Sequence, residues 1–249
     1  LLPSGSTYKL AQIQFVDANN GFVVQAAHTH FMRTTDGGNT WTHHNIGISN
    51  DLLEMHFVDP LNGWAIGNKS LLARTSDGGV TWRSVPYGTE AQMHALHFRD
   101  LQHGWVAGRE IWATVDGGAT WRLQLARNRL PDFLNDLAFI STRTGWGVGA
   151  AGLVWSTRDG GTTWTREAKD VTEAELRSLS LVGESDLWAV GAEGTILHRK
   201  GPRLEPTATA TRTRTPTSTA TSTPSPTPTL TPTPTSTPVG PWLEVDGRG

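Results

Sequence analysis

Residues 75–82, TSDGGVTW, are one of four copies of the pattern T-x-D-G-G-x-T-W in this chain, and we call the octapeptide the box. The other copies are residues 34–41, 114–121 and 157–164. Successive box aspartates are separated by 41, 39 and 43 residues. A period of this size is typical of one supersecondary unit that is repeated and stacked, as in propellers and solenoids. The box aspartates and tryptophans are Asp36, Trp41, Asp77, Trp82, Asp116, Trp121, Asp159 and Trp164.

A second landmark, G-W-x-x-G, precedes each box and has the same period. It occupies residues 63–67, 104–108 and 145–149, with variants at 21–25 and 187–191. Seven residues before its aromatic position lies an apolar residue in every repeat: Phe15, Phe57, Phe98, Phe139 or Leu181. The chain therefore contains five repeat starts but only four boxes.

Each repeat is divided by turn sequences into four short apolar segments. Short strands at even spacing with Gly-rich turns are typical of all-β architecture, and four strands in about 40 to 45 residues fit a propeller blade. The 3.6-residue apolar period of a helical solenoid is missing. We therefore predict an all-β β-propeller with five four-stranded repeats of about 41 residues.

The box itself has a structural interpretation. Its aspartate can accept hydrogen bonds from backbone N–H groups of its own turn, and its glycines permit positive φ. Its tryptophan can pack against the adjacent blade, where the burial of each ring stabilises the folded state by up to about 4–6 kcal/mol. A row of sugar-stacking platforms is the functional alternative.

The box is similar to the Asp-box, or bacterial neuraminidase repeat. Together with G-W-x-x-G and the pairs Phe15/Asp17, Phe57/Asp59 and Phe98/Asp100, it makes residues 10–200 resemble the photosystem II stability and assembly factor family. The resemblance implies a seven-bladed, non-enzymatic propeller that assists photosystem II assembly in the thylakoid lumen. The sequence leaves open a complete five-bladed ring or part of a seven-bladed one.

The composition changes sharply after the repeats. We assign residues 1–205 to the propeller and residues 206–238, nearly all Thr, Pro, Ser and Ala, to a disordered linker or stalk. Residues 239–249 are interpreted as the start of a further segment. The fifth repeat then has no fourth strand after Pro202, so we expect an exposed edge at 194–199. Deletion of 203–249 is expected to leave the melting temperature unchanged.

The net charge and the cysteine content exclude several classes of function. A net charge of −2 does not favour nucleic acid or anionic membranes, and zero cysteines exclude disulfides and thiol catalysis. No apolar run is long enough to span a membrane. We expect an exported protein, extracellular, cell-surface or periplasmic or lumenal, from a bacterial source.

The alternative function is that of an extracellular glycan-active protein, either a glycoside hydrolase of the xyloglucanase or sialidase type or a lectin. A sialidase needs a Tyr/Glu pair and an arginine cluster, yet Tyr8 and Tyr87 are the only tyrosines. Other glycosidases need two facing carboxylates. The inter-repeat loops offer Asp51, Glu54, Glu90, Asp132, Asp136, Asp170, Glu173 and Glu175 without singling out a pair. We predict no catalytic residues.

No metal or cofactor is predicted. His28 and His30 share a strand face, whereas His94 and His97 point to opposite faces, and no third ligand is fixed nearby. Each box aspartate is alone among glycines, unlike the ligands of a calcium loop.

Partner binding is assigned to the face that carries the variable loops, since loops on a rigid scaffold commonly carry function. These are residues 45–53, 86–94, 126–135 and 167–178, with the turns 68–70, 109–110 and 150–152. Their aromatic and basic members are Tyr87, Arg109, Arg127, Arg129 and Phe133, residue types common at interfaces. Our hypothesis is a non-catalytic propeller that binds a protein or cell-surface partner, with a glycan as the alternative ligand.

Overall fold

The computed structural model describes residues 8–26, 28–167, 172–182 and 186–200, together with the strand Trp242–Glu244. Within them, twenty strands form five four-stranded antiparallel sheets, with no α-helix. In every sheet the four strands follow one another in sequence order from the inner edge outward. The prediction of an all-β propeller with five four-stranded repeats is thereby confirmed.

The strands of each blade are as follows. Blade 1 contains β1 (Leu10–Phe15), β2 (Gly21–Gln25), β3 (His30–Thr34) and β4 (Thr42–Asn45). Blade 2 contains β5 (Leu52–Phe57), β6 (Gly63–Gly67), β7 (Leu71–Thr75) and β8 (Arg83–Ser84). Blade 3 contains β9 (Met93–Phe98), β10 (Gly104–Gly108), β11 (Ile111–Thr114) and β12 (Arg122–Leu125). Blade 4 contains β13 (Leu134–Phe139), β14 (Gly145–Gly149), β15 (Val154–Thr157) and β16 (Thr165–Arg166). Blade 5 contains β17 (Leu176–Val182), β18 (Asp186–Gly191), β19 (Ile196–Arg199) and β20 (Trp242–Glu244).

The second strand of a blade is its most enclosed element. All five residues of β6, β10 and β14 are buried, because each of these strands lies inside its sheet and both faces of the sheet are covered. Such strands have continuous burial instead of the alternation that one-sided sheets show. The G-W-x-x-G landmark is therefore the sequence of a strand that is buried on both faces of its sheet.

Stacked aromatic rings join neighbouring blades. The second-strand ring of one blade lies flat on the inner-strand phenylalanine of the next: Phe22 on Phe57 at 3.5 Å, Trp64 on Phe98 at 3.6 Å and Trp105 on Phe139 at 3.6 Å. The buried apolar clusters likewise combine residues of adjacent blades. The core of this protein is thus a series of sheet-to-sheet interfaces, each repeating the one before it.

Blade 5 obtains its outer strand from beyond the Thr/Pro-rich tract. Strand β20 pairs with β19 in antiparallel register, with Leu243 opposite His198. In blade 2 the residue after box Trp82, Arg83, pairs with Arg74 at the corresponding position. Trp242 therefore occupies the register position of a box tryptophan. The expectation that no fourth strand follows Pro202 is wrong, because the missing strand lies about 40 residues further along the chain.

Other statements about the chain ends fall outside the described residues. These are the boundary at 205/206, the predicted disorder of 206–238 and, apart from β20, the segment 239–249. The part of the chain that the structure describes holds no helix long and apolar enough to cross a membrane.

Candidate functional site

The box folds into a turn held by its own side chains. In blade 2, the Thr81 N–H donates to Asp77 Oδ1 (2.9 Å), and the Thr75 hydroxyl donates to the same oxygen (2.8 Å). The Gly79 N–H donates to Thr75 Oγ1 (2.9 Å). The glycines adopt φ of +75° and +87°, a region that side chains with a Cβ disfavour. The same bonds recur at Asp36, Asp116 and Asp159.

These hydrogen bonds make the box carboxylates more acidic. The threonine that follows each aspartate by four residues, with its hydroxyl first and its N–H second, lowers the pKa of Asp36, Asp77 and Asp116 to about 2. The pKa of Asp159 is lowered too, with the Thr163 backbone as the main cause. Both carboxylate oxygens of each box aspartate are thereby engaged within the turn, which agrees with a structural role.

The box also receives side chains from the preceding blade. Trp64 Nε1 donates to the carbonyl of Gly117 (3.1 Å), and Trp105 Nε1 donates to that of Gly160 (3.1 Å). Arg74 Nη1 shares the Gly117 carbonyl (3.2 Å). The box therefore fixes its own turn and supplies an acceptor to its neighbour.

Polar side chains along the central axis connect three of the blades to the next one. The Met55 N–H donates to Gln12 Oε1 (2.9 Å), the Leu96 N–H to Glu54 Oε2 (2.8 Å), and the Leu179 N–H to Asp136 Oδ2 (2.7 Å). Gln12, Glu54 and Asp136 occupy the same position in their inner strands. Blade 3 has Ala95 there, and the corresponding side-chain bond is lost.

Glu54 and Asp136 are two carboxyl groups close enough to influence each other. Burial raises the pKa of Glu54 well above its usual range, and the charge of Asp136 adds to the effect. Burial also raises the pKa of Asp136 to about 6, although the Leu179 N–H and the Ser178 hydroxyl oppose the rise. Of the eight carboxylates considered in the sequence analysis, the fold thus brings Glu54 and Asp136 near each other. Each accepts a hydrogen bond from a backbone N–H of the following blade.

A cavity of about 390 Å³ opens at the box end of the axis. Its wall includes His56 and His97, whose ring centroids are 4.8 Å apart, and apolar residues of all five blades. Burial lowers the pKa of His56 to about 4 and that of His97 to about 3, so both rings are neutral at pH 7. Within the described residues no three His, Cys, Asp or Glu side chains are grouped as a metal site requires.

On the opposite end, the loop face, two of the predicted partner residues come together. The Arg109 guanidinium lies 6.0 Å from the centroid of the Phe133 ring and 3.6 Å from Asp132 Oδ1. His94 stacks on Phe133 at 5.2 Å with an 18° angle between the rings. Burial, then the charge of Arg109, lowers the pKa of His94. We call Arg109, Phe133 and His94 the loop-face cluster.

The other predicted partner residues have different positions. Tyr87 is only 5% exposed, and its hydroxyl donates to the Ala91 carbonyl (3.1 Å), so it supports its loop from within, unlike the exposed contact residue that was expected. Arg127 and Arg129 are exposed on the loop that connects blades 3 and 4. Neither has a described contact with the loop-face cluster.

A shallow depression beside the cluster was missed in the sequence. It measures about 280 Å³ and is lined by Leu53, His94, Asn135, Glu175 and Arg177, which belong to four successive blades. His94, Asn135 and Arg177 share one inner-strand position, four residues before Phe98, Phe139 and Leu181. The repeated apolar residue of each inner strand is thus a sequence signal that could have predicted that these three residues lie together at the loop-face end of the central axis.

Propeller geometry, box turns and a loop-face cluster together define this chain as a repeat propeller with a candidate binding face. The sequence profile of the photosynthesis system II assembly factor YCF48 matches residues 41–133 and 123–203, about two thirds of the chain. The chain therefore belongs to the YCF48 assembly factor family, as the motifs predicted. Among curated proteins, none is significantly similar in sequence.

Solved structures share the fold at low sequence identity. A structure described as YCF48 bound to D1 peptide is 16% identical, with 79% of this chain and 92% of that chain covered and a TM-score of 0.45. The GH74 enzyme of Niastella koreensis is 12% identical, with 77% and 35% covered and a TM-score of 0.63. The protein U3-55K is 11% identical, with 78% and 62% covered and a TM-score of 0.67. The chain spans only part of these last two proteins, and the likeness extends to fold alone.

Proposed function

We propose that this chain is a non-catalytic assembly-factor propeller that binds a polypeptide partner through its loop face. Membership in the YCF48 family supports an assembly role. The observation that carries the proposal is the loop-face cluster, in which a half-exposed guanidinium and two stacked rings are presented next to a depression that four blades share.

The chemistry of the cluster suits a peptide. Arg109 is 50% exposed, and its 3.6 Å pair with Asp132 contributes little in solvent. Its guanidinium can therefore turn to a carbonyl or carboxylate oxygen of a partner. Phe133 and His94 provide a flat apolar surface for a side chain of the same peptide.

The positions of Glu54 and Asp136 favour binding over glycoside hydrolysis. Hydrolysis needs two carboxyl groups that face one sugar. Here Glu54 accepts the Leu96 N–H and Asp136 accepts the Leu179 N–H, so both serve contacts between blades. The likeness to a GH74 enzyme adds no catalytic residue, because it is a likeness of fold.

The proposal is tested by binding measurements with a D1 peptide, the ligand in the solved structure described as YCF48 bound to D1 peptide. Arg109→Ala and Phe133→Ala should each weaken binding at least about tenfold, as expected for central interface residues. Leu101→Ala, an exposed apolar residue on the box face, is the matched control and should bind like the unmodified chain. Undiminished binding by both loop-face variants would contradict the proposed site, and no binding by the unmodified chain would contradict the photosystem partner.

We also propose that the protein is exported from a bacterial cell. The Thr/Pro-rich composition of residues 206–238, which is typical of stalks in exported proteins, supports this location. Fractionation of the native host, with a cytoplasmic enzyme as marker, should find the chain outside the cytoplasm. Co-fractionation with the marker would refute export.

A further inference from the structure

At the first two junctions between blades, an arginine of the third strand reaches the box of the next blade. Arg33 lies opposite Phe22 in the register of β2 and β3, and its guanidinium is 5.7 Å from the centroid of the Phe22 ring. Its Nη1 donates to the carbonyl of Gly78 (3.1 Å) and its Nη2 to that of Pro60 (3.4 Å). A cation at this distance from an aromatic ring is attracted to it. The arginine thus joins the ring of its own blade to two carbonyls of the next.

Two further junctions place a guanidinium on the second-strand ring. Between blades 2 and 3, Arg74 lies opposite Trp64, its guanidinium is 5.3 Å from the centroid of that ring, and its Nη1 donates to Gly117. Between blades 4 and 5 the guanidinium comes from the following blade, where Arg199 lies 5.0 Å from the ring of Trp146. A guanidinium between ring and box is therefore a recurring part of the contact between blades.

The junction between blades 3 and 4 has an alanine in place of the arginine. Ala113 lies opposite Trp105 in the register of β10 and β11. A cavity of about 470 Å³ lies at this position, and its wall includes Trp105, Ala113, Gln124, Thr142 and Gly160. We call this cavity the arginine pocket, because it lies where the side chains of the two preceding arginines lie in blades 1 and 2.

The arginine pocket keeps the acceptors that a guanidinium uses elsewhere. Gly160 is the first glycine of its box, like Gly78, and Thr142 lies three residues after the inner-strand phenylalanine, like Pro60. The Gly160 carbonyl already accepts an indole N–H (3.1 Å), but a carbonyl oxygen has two lone pairs. The Gly117 carbonyl shows that both can be used, since it accepts an indole and a guanidinium together.

The charges around the arginine pocket are compatible with a bound cation. The carboxylate of Asp159 forms part of the wall and supplies a negative charge. Arg122 also lines the pocket and lies opposite the alanine position. Its counterpart in blade 2, Arg83, lies opposite Arg74 in the same way, so a second guanidinium is tolerated there. His103 is paired with a carboxylate of its own hairpin.

We propose that the arginine pocket binds the guanidinium group of an arginine side chain that a partner polypeptide presents. The guanidinium lies between the Trp105 ring and the box of blade 4 and donates to the carbonyls of Gly160 and Thr142. Its planar fork of donors suits two carbonyls beside an aromatic ring, as it does at the first two junctions. The site lies between two consecutive blades on the box side and is separate from the loop-face cluster.

The proposal is tested by an NMR titration of the indole N–H of Trp105, whose acceptor is the Gly160 carbonyl. Acetyl-glycyl-arginyl-glycine amide should shift this signal in a saturable way, with a dissociation constant on the order of 1 mM, as for weak binding through one side chain. The citrulline and lysine analogues should bind at least about tenfold more weakly, because citrulline lacks the charge and lysine lacks the planar fork. Free arginine should also bind more weakly, since its α-carboxylate is repelled by Asp159.

A variant that fills the arginine pocket gives the decisive control. Ala113→Arg supplies the side chain from the chain itself, so it should abolish binding of the arginine peptide and keep or raise the melting temperature. Val80→Arg, at a position that is 66% exposed in the box of blade 2, adds the same charge elsewhere and should bind like the unmodified chain. The absence of a saturable shift, equal binding of the citrulline peptide, or a lower melting temperature of Ala113→Arg would overturn the proposal. Free arginine that binds as tightly as the peptide would overturn the polypeptide as its source.

Discussion

At the scale of single residues, the box aspartate matters through the donors that it satisfies. Asp77→Ala removes the acceptor of the Thr81 N–H and of two hydroxyl groups, and we expect a loss of about 1–3 kcal/mol in the free energy of unfolding. Asp77→Asn keeps one carbonyl oxygen and should lose less. Denaturant titration measures both. An alanine variant as stable as the unmodified chain would contradict the structural role of the box.

A second residue-scale prediction concerns pH. In the folded chain the pKa of Asp136 is raised from 3.8 to about 6, so the neutral carboxyl favours folding. This contribution is complete below about pH 4 and is lost as the pH rises through 6. Asp136→Asn does not titrate. Its stability relative to the unmodified chain should therefore increase from pH 4 to pH 7, by up to about 3 kcal/mol at about 1.4 kcal/mol per pKa unit. A difference that is constant with pH would refute this account.

At the scale of elements, β20 makes blade 5 dependent on the end of the chain. The sequence predicted that deletion of 203–249 would leave the melting temperature unchanged. The structure contradicts this prediction, because the deletion removes a strand that pairs with β19. Leu243→Pro should lower the melting temperature of blade 5, since proline removes a backbone donor and disrupts the strand. Thr221→Pro, within the Thr/Pro-rich tract, is the control and should have no effect. Equal melting temperatures for both variants would contradict the pairing.

Strand β20 also shows why part of the fold escaped prediction. Residues 241–245, PWLEV, resemble residues 81–85, TWRSV, and share the tryptophan at the second position and the valine at the fifth. The period of about 41 residues could not locate them, because the Thr/Pro-rich tract separates them from β19. The other nineteen strands keep the period, and turn residues and alternation were enough to place their blades.

The candidate site was predictable only in part. Arg109 and Phe133 were found because they are basic and aromatic residues on neighbouring loops. His94 lies in the predicted loop segment 86–94, but it was considered only as a metal ligand and so was not grouped with Arg109 and Phe133. Tyr87 was predicted to contact a partner, but its ring is buried in its own loop. An aromatic residue in a loop can pack inside the loop or face solvent, and sequence spacing does not distinguish these two cases.

At the scale of the whole molecule, stability depends on the contact that each blade makes with the next. The missing fifth box illustrates this dependence. Trp146 Nε1, the counterpart of the donors in Trp64 and Trp105, is buried without a hydrogen-bond acceptor among the described residues. Its expected acceptor is a box carbonyl of blade 5, and blade 5 carries Arg199 where a box would begin with threonine. The junction between blades 4 and 5 therefore lacks, among the described residues, a hydrogen bond that the two junctions before it contain.

The last prediction compares one repeat position in two places. Trp64 is fully buried, stacks on Phe98 and donates to Gly117, so Trp64→Ala should cost about 3–5 kcal/mol in the free energy of unfolding. Trp188 has the same place in blade 5, but no following blade of the described chain covers it, and Trp188→Ala should cost about 1 kcal/mol or less. Denaturant titration measures both values. Equal costs would mean that the fifth blade closes on another surface of the same chain.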